Sequence, residues 1–210
     1  MVLSRRSPDW RWIGIKAVAH GLALLPLALL VQGVVGDTLG ADPVAAITHE
    51  TGNWALRLVL LGLAMTPLRR LLGKPWPIRF RRMVGLYAFL YATLHLATYV
   101  VLDLGQYWQQ ILEDIVKRPY ITVGFAAWLL LVPLAVTSTK GWIRRLGRRW
   151  GQLHKLVYAV GVLGVLHFIW LVKSDLREPL LYAGVLALLL GLRLWWKLRK
   201  PLAQAPMRGA

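Results

Sequence analysis

No cysteine occurs among the 210 residues. That excludes structural disulfides, thiolate zinc sites and cysteine-ligated iron–sulfur clusters. Covalent c-type haem is excluded too, because it needs C-x-x-C-H, so any haem would be held non-covalently as b-type. Carboxylates are scarce as well, with Asp and Glu numbering 9 against 26 Lys and Arg. No catalytic triad and no carboxylate dyad is visible. Neither a Walker A sequence nor a G-x-G-x-x-G after a strand pattern is present, so the chain carries no nicotinamide-binding or large flavin domain of its own.

What fills the chain instead is apolar helix-forming sequence. Hydrophobic residues make up 57% of it and charged residues only 17%, and mean hydropathy is +0.53. Leu-, Ala- and Val-rich blocks recur along the whole length, separated by short charged or Pro/Gly-rich breaks. The pattern predicts an all-α integral membrane protein, a single domain over 1–210. Six spans are expected at about 12–35, 51–68, 83–102, 119–137, 152–172 and 179–196, each long enough for a hydrocarbon core of roughly 30 Å. Pro26 and Pro133 predict kinks inside the first and fourth spans. The N-terminal apolar stretch exceeds a usual signal-peptide core and lacks an A-x-A-like cleavage site, so it reads as a retained first span.

The net charge of +17 is distributed as a membrane protein requires, not as a nucleic-acid-binding face. Stretches 1–16, 69–82, 140–155 and 193–210 hold 21 of the 26 basic residues and a single acidic one, Asp9. The alternate loops hold Asp37, Asp42, Glu50, Asp103, Glu113, Asp114, Asp175 and Glu178. By the positive-inside rule both termini are cytoplasmic and the acidic loops face outward. Ten tryptophans near the span ends read as an interfacial belt. The loop 103–118, DLGQYWQQILEDIVKR, is the largest outward element, and predicts a short amphipathic helix and a docking surface for a partner.

Three histidines interrupt apolar stretches: His95 in LYATLHLATYVV, and His154 and His167 in WGQLHKLVYAVGVLGVLHFIW. Ionisable groups at such depths are costly and point to function, and imidazole is the usual protein ligand of haem iron. Counted from the basic edge at 1.5 Å per residue, His95 lies roughly 20 Å deep, His167 about 27 Å and His154 about 7 Å. Depth therefore pairs His95 with His167 around an outer haem b and leaves His154 for an inner one. No histidine supplies the inner site's second ligand, for Arg81 and Arg82 occupy the corresponding places. Either arginine suits a haem propionate better than iron. Water, an open position or a single-haem protein are the alternatives. Membrane histidines also serve as plain interhelical hydrogen-bonding groups, the reading adopted for His20, while His49 is expected to be solvated.

Four stretches carry a resemblance: TGNWALRLVLLGLAMTPLRR (51–70), RRMVGLYAFLYATLHLATY (81–99), KRPYITVGFAAWLLLVPLAVTS (117–138) and WGQLHKLVYAVGVLGVLHFIW (150–170). Together they resemble the YedZ/MsrQ family, haem-binding membrane subunits of a periplasmic methionine sulfoxide reductase system, within the ferric-reductase-like transmembrane group. The resemblance implies a six-helix haem-binding core with His95, His154 and His167 on ligand positions. It also implies an FMN cofactor, whose phosphate the basic loops 69–82 and 140–150 suit. A molybdenum-containing periplasmic methionine sulfoxide reductase is the implied partner, and the respiratory quinone pool or a cytosolic flavin reductase the implied donor.

The leading expectation is thus an electron-transfer subunit of the bacterial inner membrane, with substrate reduction on the partner. A cytochrome b anchor for another periplasmic oxidoreductase is one alternative. A proton-coupled transporter is another, but no internal repeat of the kind transporters show is apparent.

Overall fold

Asp42 and Pro43 start the second helix well before its apolar stretch begins. The Asp42 carboxylate accepts the Ala45 amide at 2.9 Å, and Pro43 occupies the first turn, where its missing N–H costs nothing. The helix then runs to Leu72 and stops at Gly73, whose φ of 63° lies in the left-handed region. The computed structural model describes residues 9–172 and 174–199. In chain order its helices are α1 (Trp10–Val35), α2 (Pro43–Leu72), α3 (Trp76–Ala97), α4 (Trp108–Lys117), α5 (Pro119–Val136), α6 (Lys140–Leu146), α7 (Arg148–Leu153), α8 (Leu156–Leu171) and α9 (Arg177–Leu198). A π-helical stretch, Thr98–Asp103, prolongs α3.

Among the described residues five helical stretches are long and apolar enough to cross a membrane: Trp10–Val35, Trp76–Asp103, Pro119–Val136, Arg148–Leu171 and Arg177–Leu198. The expected sixth span, 51–68, is helical but less apolar, because α2 carries Asn53, Arg57 and Thr66. Those polar groups are tolerable because α2 is the central helix. Eight of its residues are buried, among them Leu56, Val59 and Leu63. Arg57 donates from Nε to the Tyr182 hydroxyl at 2.8 Å and lies 3.6 Å from Glu178, both on α9. Around α2 the core gathers Val84, Ala88 and Tyr91 of α3, Leu131 of α5, Val160 and Val165 of α8, and Leu186 and Leu189 of α9. The outside is greasy: Leu22, Leu25 and Leu29 on α1 and Leu181, Leu188 and Leu194 on α9 are more than half exposed or nearly so. A soluble protein does not present such continuous apolar surface; a lipid-facing bundle does.

Pro26 leaves α1 continuous, and the adjustment is visible. The hydroxyl of the fully buried Tyr91 accepts from Leu27 N–H at 3.2 Å and donates to Ala23 C=O at 2.8 Å. It thereby re-satisfies backbone groups beside the proline, as a side chain from a neighbouring helix can. The span expected as one helix over 152–172 is instead broken at His154 and Lys155, between α7 and α8. Tight bonds across the junction, Lys155 N–H to Gln152 C=O and Tyr158 N–H to Lys155 C=O, mark the break.

Candidate functional site

Each deep histidine leans on a neighbouring helix in the same manner. His95, near the end of α3, hydrogen-bonds through Nδ1 to the Thr48 carbonyl of α2 at 2.9 Å. His167, near the end of α8, does so to the Tyr120 carbonyl of α5 at 2.7 Å. One turn further along each acceptor helix stands a glycine, and it lies directly under the ring. A Cβ on Gly52 would fall 3.0 Å from His95 Nδ1, and one on Gly124 only 2.7 Å from His167 Nδ1. The glycines are small because imidazole occupies the space a side chain would need. In both sets the histidine follows its acceptor carbonyl by 47 residues. The sequence displays no internal repeat, yet the fold uses one arrangement twice, on α2–α3 and on α5–α8.

The two sockets bring the rings together, with centroids 6.1 Å apart and planes at 78°. Both Nδ1 atoms face carbonyl oxygens, so each must carry its proton there, and Nε2 is left with its lone pair. Among the described residues neither Nε2 has a hydrogen-bond partner. An imidazole fixed through Nδ1–H to a carbonyl is the usual second-sphere arrangement of a metal-ligating histidine. Metal–imidazole bonds of about 2 Å on opposite sides of one ion, plus roughly 1 Å from each nitrogen to its ring centre, require a centroid separation near 6 Å. Among the described residues no group of three or more His, Asp or Glu converges. A bare ion would thus find only two protein ligands, whereas porphyrin iron needs no more than two axial ones. The pair fits haem.

His154 is elsewhere, at the basic end of the bundle. Its Nε2 lies 3.1 Å from the Thr137 hydroxyl, and its ring stacks on Trp150 at 4.0 Å. Trp150 Nε1 in turn donates to the Thr137 carbonyl at 2.9 Å. Arg81 comes within electrostatic reach of His154 and of Arg193, while Arg82 is exposed and makes no hydrogen bond or ion pair among the described residues. Arg193 of α9 went unnoticed in the sequence. It donates to the carbonyls of Leu189, at 3.0 Å, and of Leu63 in α2, and its guanidinium lies over Tyr158, one turn beyond His154. His20 is a hydrogen-bonding group, 2.8 Å from the Tyr87 hydroxyl.

The glycines, the acceptor carbonyls and Thr137 also escaped the sequence reading. For the glycines a signal existed: a small residue in an apolar helix, at one fixed distance before each deep histidine.

Residues 51–165 match the family described as ferric reductase like transmembrane component. The protein-methionine-sulfoxide reductase heme-binding subunit MsrQ of Xanthomonas axonopodis pv. citri (strain 306) is 64% identical over 192 residues, covering 89% of this chain and 88% of its own. The subunit of the same name from Xanthomonas campestris pv. campestris (strain 8004) is 63% identical over 194 residues, with 89% and 88% covered. That of Rhodospirillum rubrum is 57% identical over 172 residues, with 81% and 83% covered. No solved structure matches the chain.

Proposed function

The chain belongs to the MsrQ heme-binding subunits of the ferric-reductase-like transmembrane family, and on that footing we propose that it is a membrane electron-transfer subunit holding haem b between His95 and His167. The observation that carries the proposal is the pair of rings 6.1 Å apart, each anchored through Nδ1 to a backbone carbonyl. Haem bound there supplies a one-electron couple inside the membrane. The chain does the rest. Thr48 and Tyr120 hold the imidazoles in the ligating tautomer and raise their basicity. Gly52 and Gly124 let two helices close on the rings. The buried Tyr91 and Leu56 belong to the apolar packing that keeps water from the α2–α3 interface.

At the basic end His154 would serve a second haem only on releasing the Thr137 hydroxyl that lies 3.1 Å from its Nε2. Arg81, within electrostatic reach of His154, would neutralise a propionate carboxylate of such a haem, with Arg82 next to it in sequence. The basic segments 69–82 and 140–150 suit the phosphate of FMN in the same way. In this reading α2 crosses the membrane as the sixth span and both termini lie in the cytoplasm. Electrons enter at the basic face, from quinol or a cytosolic flavin reductase. They leave at the acidic face to a periplasmic molybdenum-containing methionine sulfoxide reductase, which reduces oxidised protein methionines.

A reduced-minus-oxidised visible spectrum of the purified protein tests the core of this proposal. Sharp b-type bands are expected, with His95→Ala and His167→Ala each abolishing the same haem population. A colourless preparation from haem-replete cells, or an intact spectrum in His167→Ala, overturns it. Co-purification with the periplasmic sulfoxide reductase tests the partner.

A further inference from the structure

The helix α4 divides into three arcs. At about 100° per residue, Ile111 and Asp114 face the bundle, and both are buried. Trp108, Leu112 and Val116, each four residues after the last, form a stripe on one flank, 65%, 64% and 83% exposed. Gln109, Glu113 and Lys117 form the other flank, joined by a Gln109–Glu113 hydrogen bond of 3.4 Å and a Lys117–Glu113 ion pair of 2.9 Å. Stripe and polar flank each lie roughly 115–130° from the buried arc, on opposite sides of it.

A helix lying flat at the rim of a membrane bundle meets these three surroundings at once: protein beside it, hydrocarbon below, water above. We propose that α4 lies in the plane of the membrane–water interface, with Trp108, Leu112 and Val116 seated in lipid and Gln109, Glu113 and Lys117 in water. The proposal rests on the bundle's spanning a bilayer and not on what the histidines bind. Continuity favours lipid over a protein as the occupant. The stripe carries on from Val101 and Leu102, exposed at the end of the preceding span, through Tyr107. A protein approaching from water would meet the polar flank. Interfacial helices elsewhere join an apolar face bearing Trp and Leu to a charged one.

Asp114 fixes the roll of the helix. Its carboxylate accepts from the Tyr99 hydroxyl and from the Gln110 amide, each at 2.8 Å, and pairs with Arg118 at 3.2 Å. Arg118 also donates to the Tyr120 hydroxyl at 3.3 Å, and the Tyr120 carbonyl holds His167. A lipid-seated α4 thereby sets the height of the histidine pair against the bilayer.

The lack of native cysteine makes the test clean. Trp108→Cys, Leu112→Cys, Val116→Cys, Gln109→Cys and Glu113→Cys are each labelled with an environment-sensitive fluorophore and placed in nanodiscs, with and without lipids bearing a nitroxide near the headgroup. Because an interfacial helix sits about 5–10 Å into the headgroup boundary, the three stripe labels are expected to shift to the blue and lose roughly half their emission or more to the nitroxide. The two polar-flank labels stay red-shifted and unquenched. Hydroxyl-radical footprinting of the unsubstituted protein in nanodiscs is expected to protect Leu112 relative to the same protein in small detergent micelles. Water-like emission from all five positions, or stripe protection only after the sulfoxide reductase is added, overturns the proposal; the second result assigns the stripe to protein docking. The visible spectrum of the same samples reports separately on haem.

Discussion

Replacing Gly124 with alanine is the sharpest test of the way the imidazoles are held. The new Cβ would lie 2.7 Å from His167 Nδ1, 2.9 Å from Cε1 and 3.1 Å from Cγ, where ordinary contact begins at 3.4 Å. The ring must therefore retreat by about 0.7 Å, well beyond the roughly 0.2 Å that metal–ligand distances tolerate. If the retreat lies along the hydrogen bond, the 2.7 Å contact with the Tyr120 carbonyl stretches to about 3.4 Å, outside the normal range for N–H···O bonds. Losing such a partner typically costs 10–100-fold in metal affinity, so a haem titration of Gly124→Ala should weaken by about that factor. Low-spin electron paramagnetic resonance signals should give way to high-spin ones. Gly52→Ala, with its nearest approach at 3.0 Å, should do the same more mildly. At Gly161 the added Cβ would meet only the Leu186 and Leu63 methyl groups, at 3.2 Å, and neither histidine ring, so Gly161→Ala should leave the spectrum unaltered. Wild-type affinity and spin state in Gly124→Ala would refute the reasoning, as would a larger defect in Gly52→Ala.

Three further outcomes are expected. His154→Ala should leave the haem population of His95 and His167 intact and lower only the haem-to-protein ratio, by at most one equivalent; pyridine haemochrome analysis reads it, and a fall in the outer signal would couple sites that the fold separates. Tyr91→Phe removes the hydroxyl that bridges Leu27 and Ala23 beside Pro26 and should cost on the order of 1 kcal/mol, as an interhelical hydrogen bond in a membrane does, measured by thermal unfolding in detergent. The Asp114 carboxyl is held below its ordinary range, first by the Tyr99 hydroxyl and then by Gln110 and Arg118. A depressed folded-state pKa means that the clamp is complete above about 4 and is lost as pH falls through the folded value. Amide exchange in α4 should thus be steady relative to its intrinsic rate between about pH 5 and 8 and rise under stronger acid, while Asp114→Asn should raise it at neutral pH.

Counting residues along apolar helices was enough to predict that His95 and His167 meet and that His154 stands apart, because helix rise is the same in every sequence. Counting could not supply the sockets. Thr48 and Tyr120 contribute carbonyl oxygens, which every residue has, so nothing in their identity betrays the role. Gly52 and Gly124 were legible only as small residues, a class that serves helix contact generally. The early start of α2 was legible in Asp42-Pro43 but was overshadowed by the apolar pattern that begins later. The break at His154 was not, since it depends on Trp150 and Thr137 gripping the ring from two sides. Arg57 and Arg193 sit in helices whose hydropathy says nothing of partners on other helices: Tyr182 and Glu178 of α9 hold Arg57 of α2, and the Leu63 carbonyl of α2 accepts from Arg193 of α9.

Holding the two imidazoles by main chain changes how the protein can vary. A side-chain acceptor can be lost by a single substitution, but a carbonyl oxygen persists whatever residue bears it. Most drift along α2 and α5 therefore leaves the rings undisturbed, and the tolerance ends abruptly at two positions where any added carbon collides. Homologous chains can diverge widely over these helices while inheriting the same grip on their histidines.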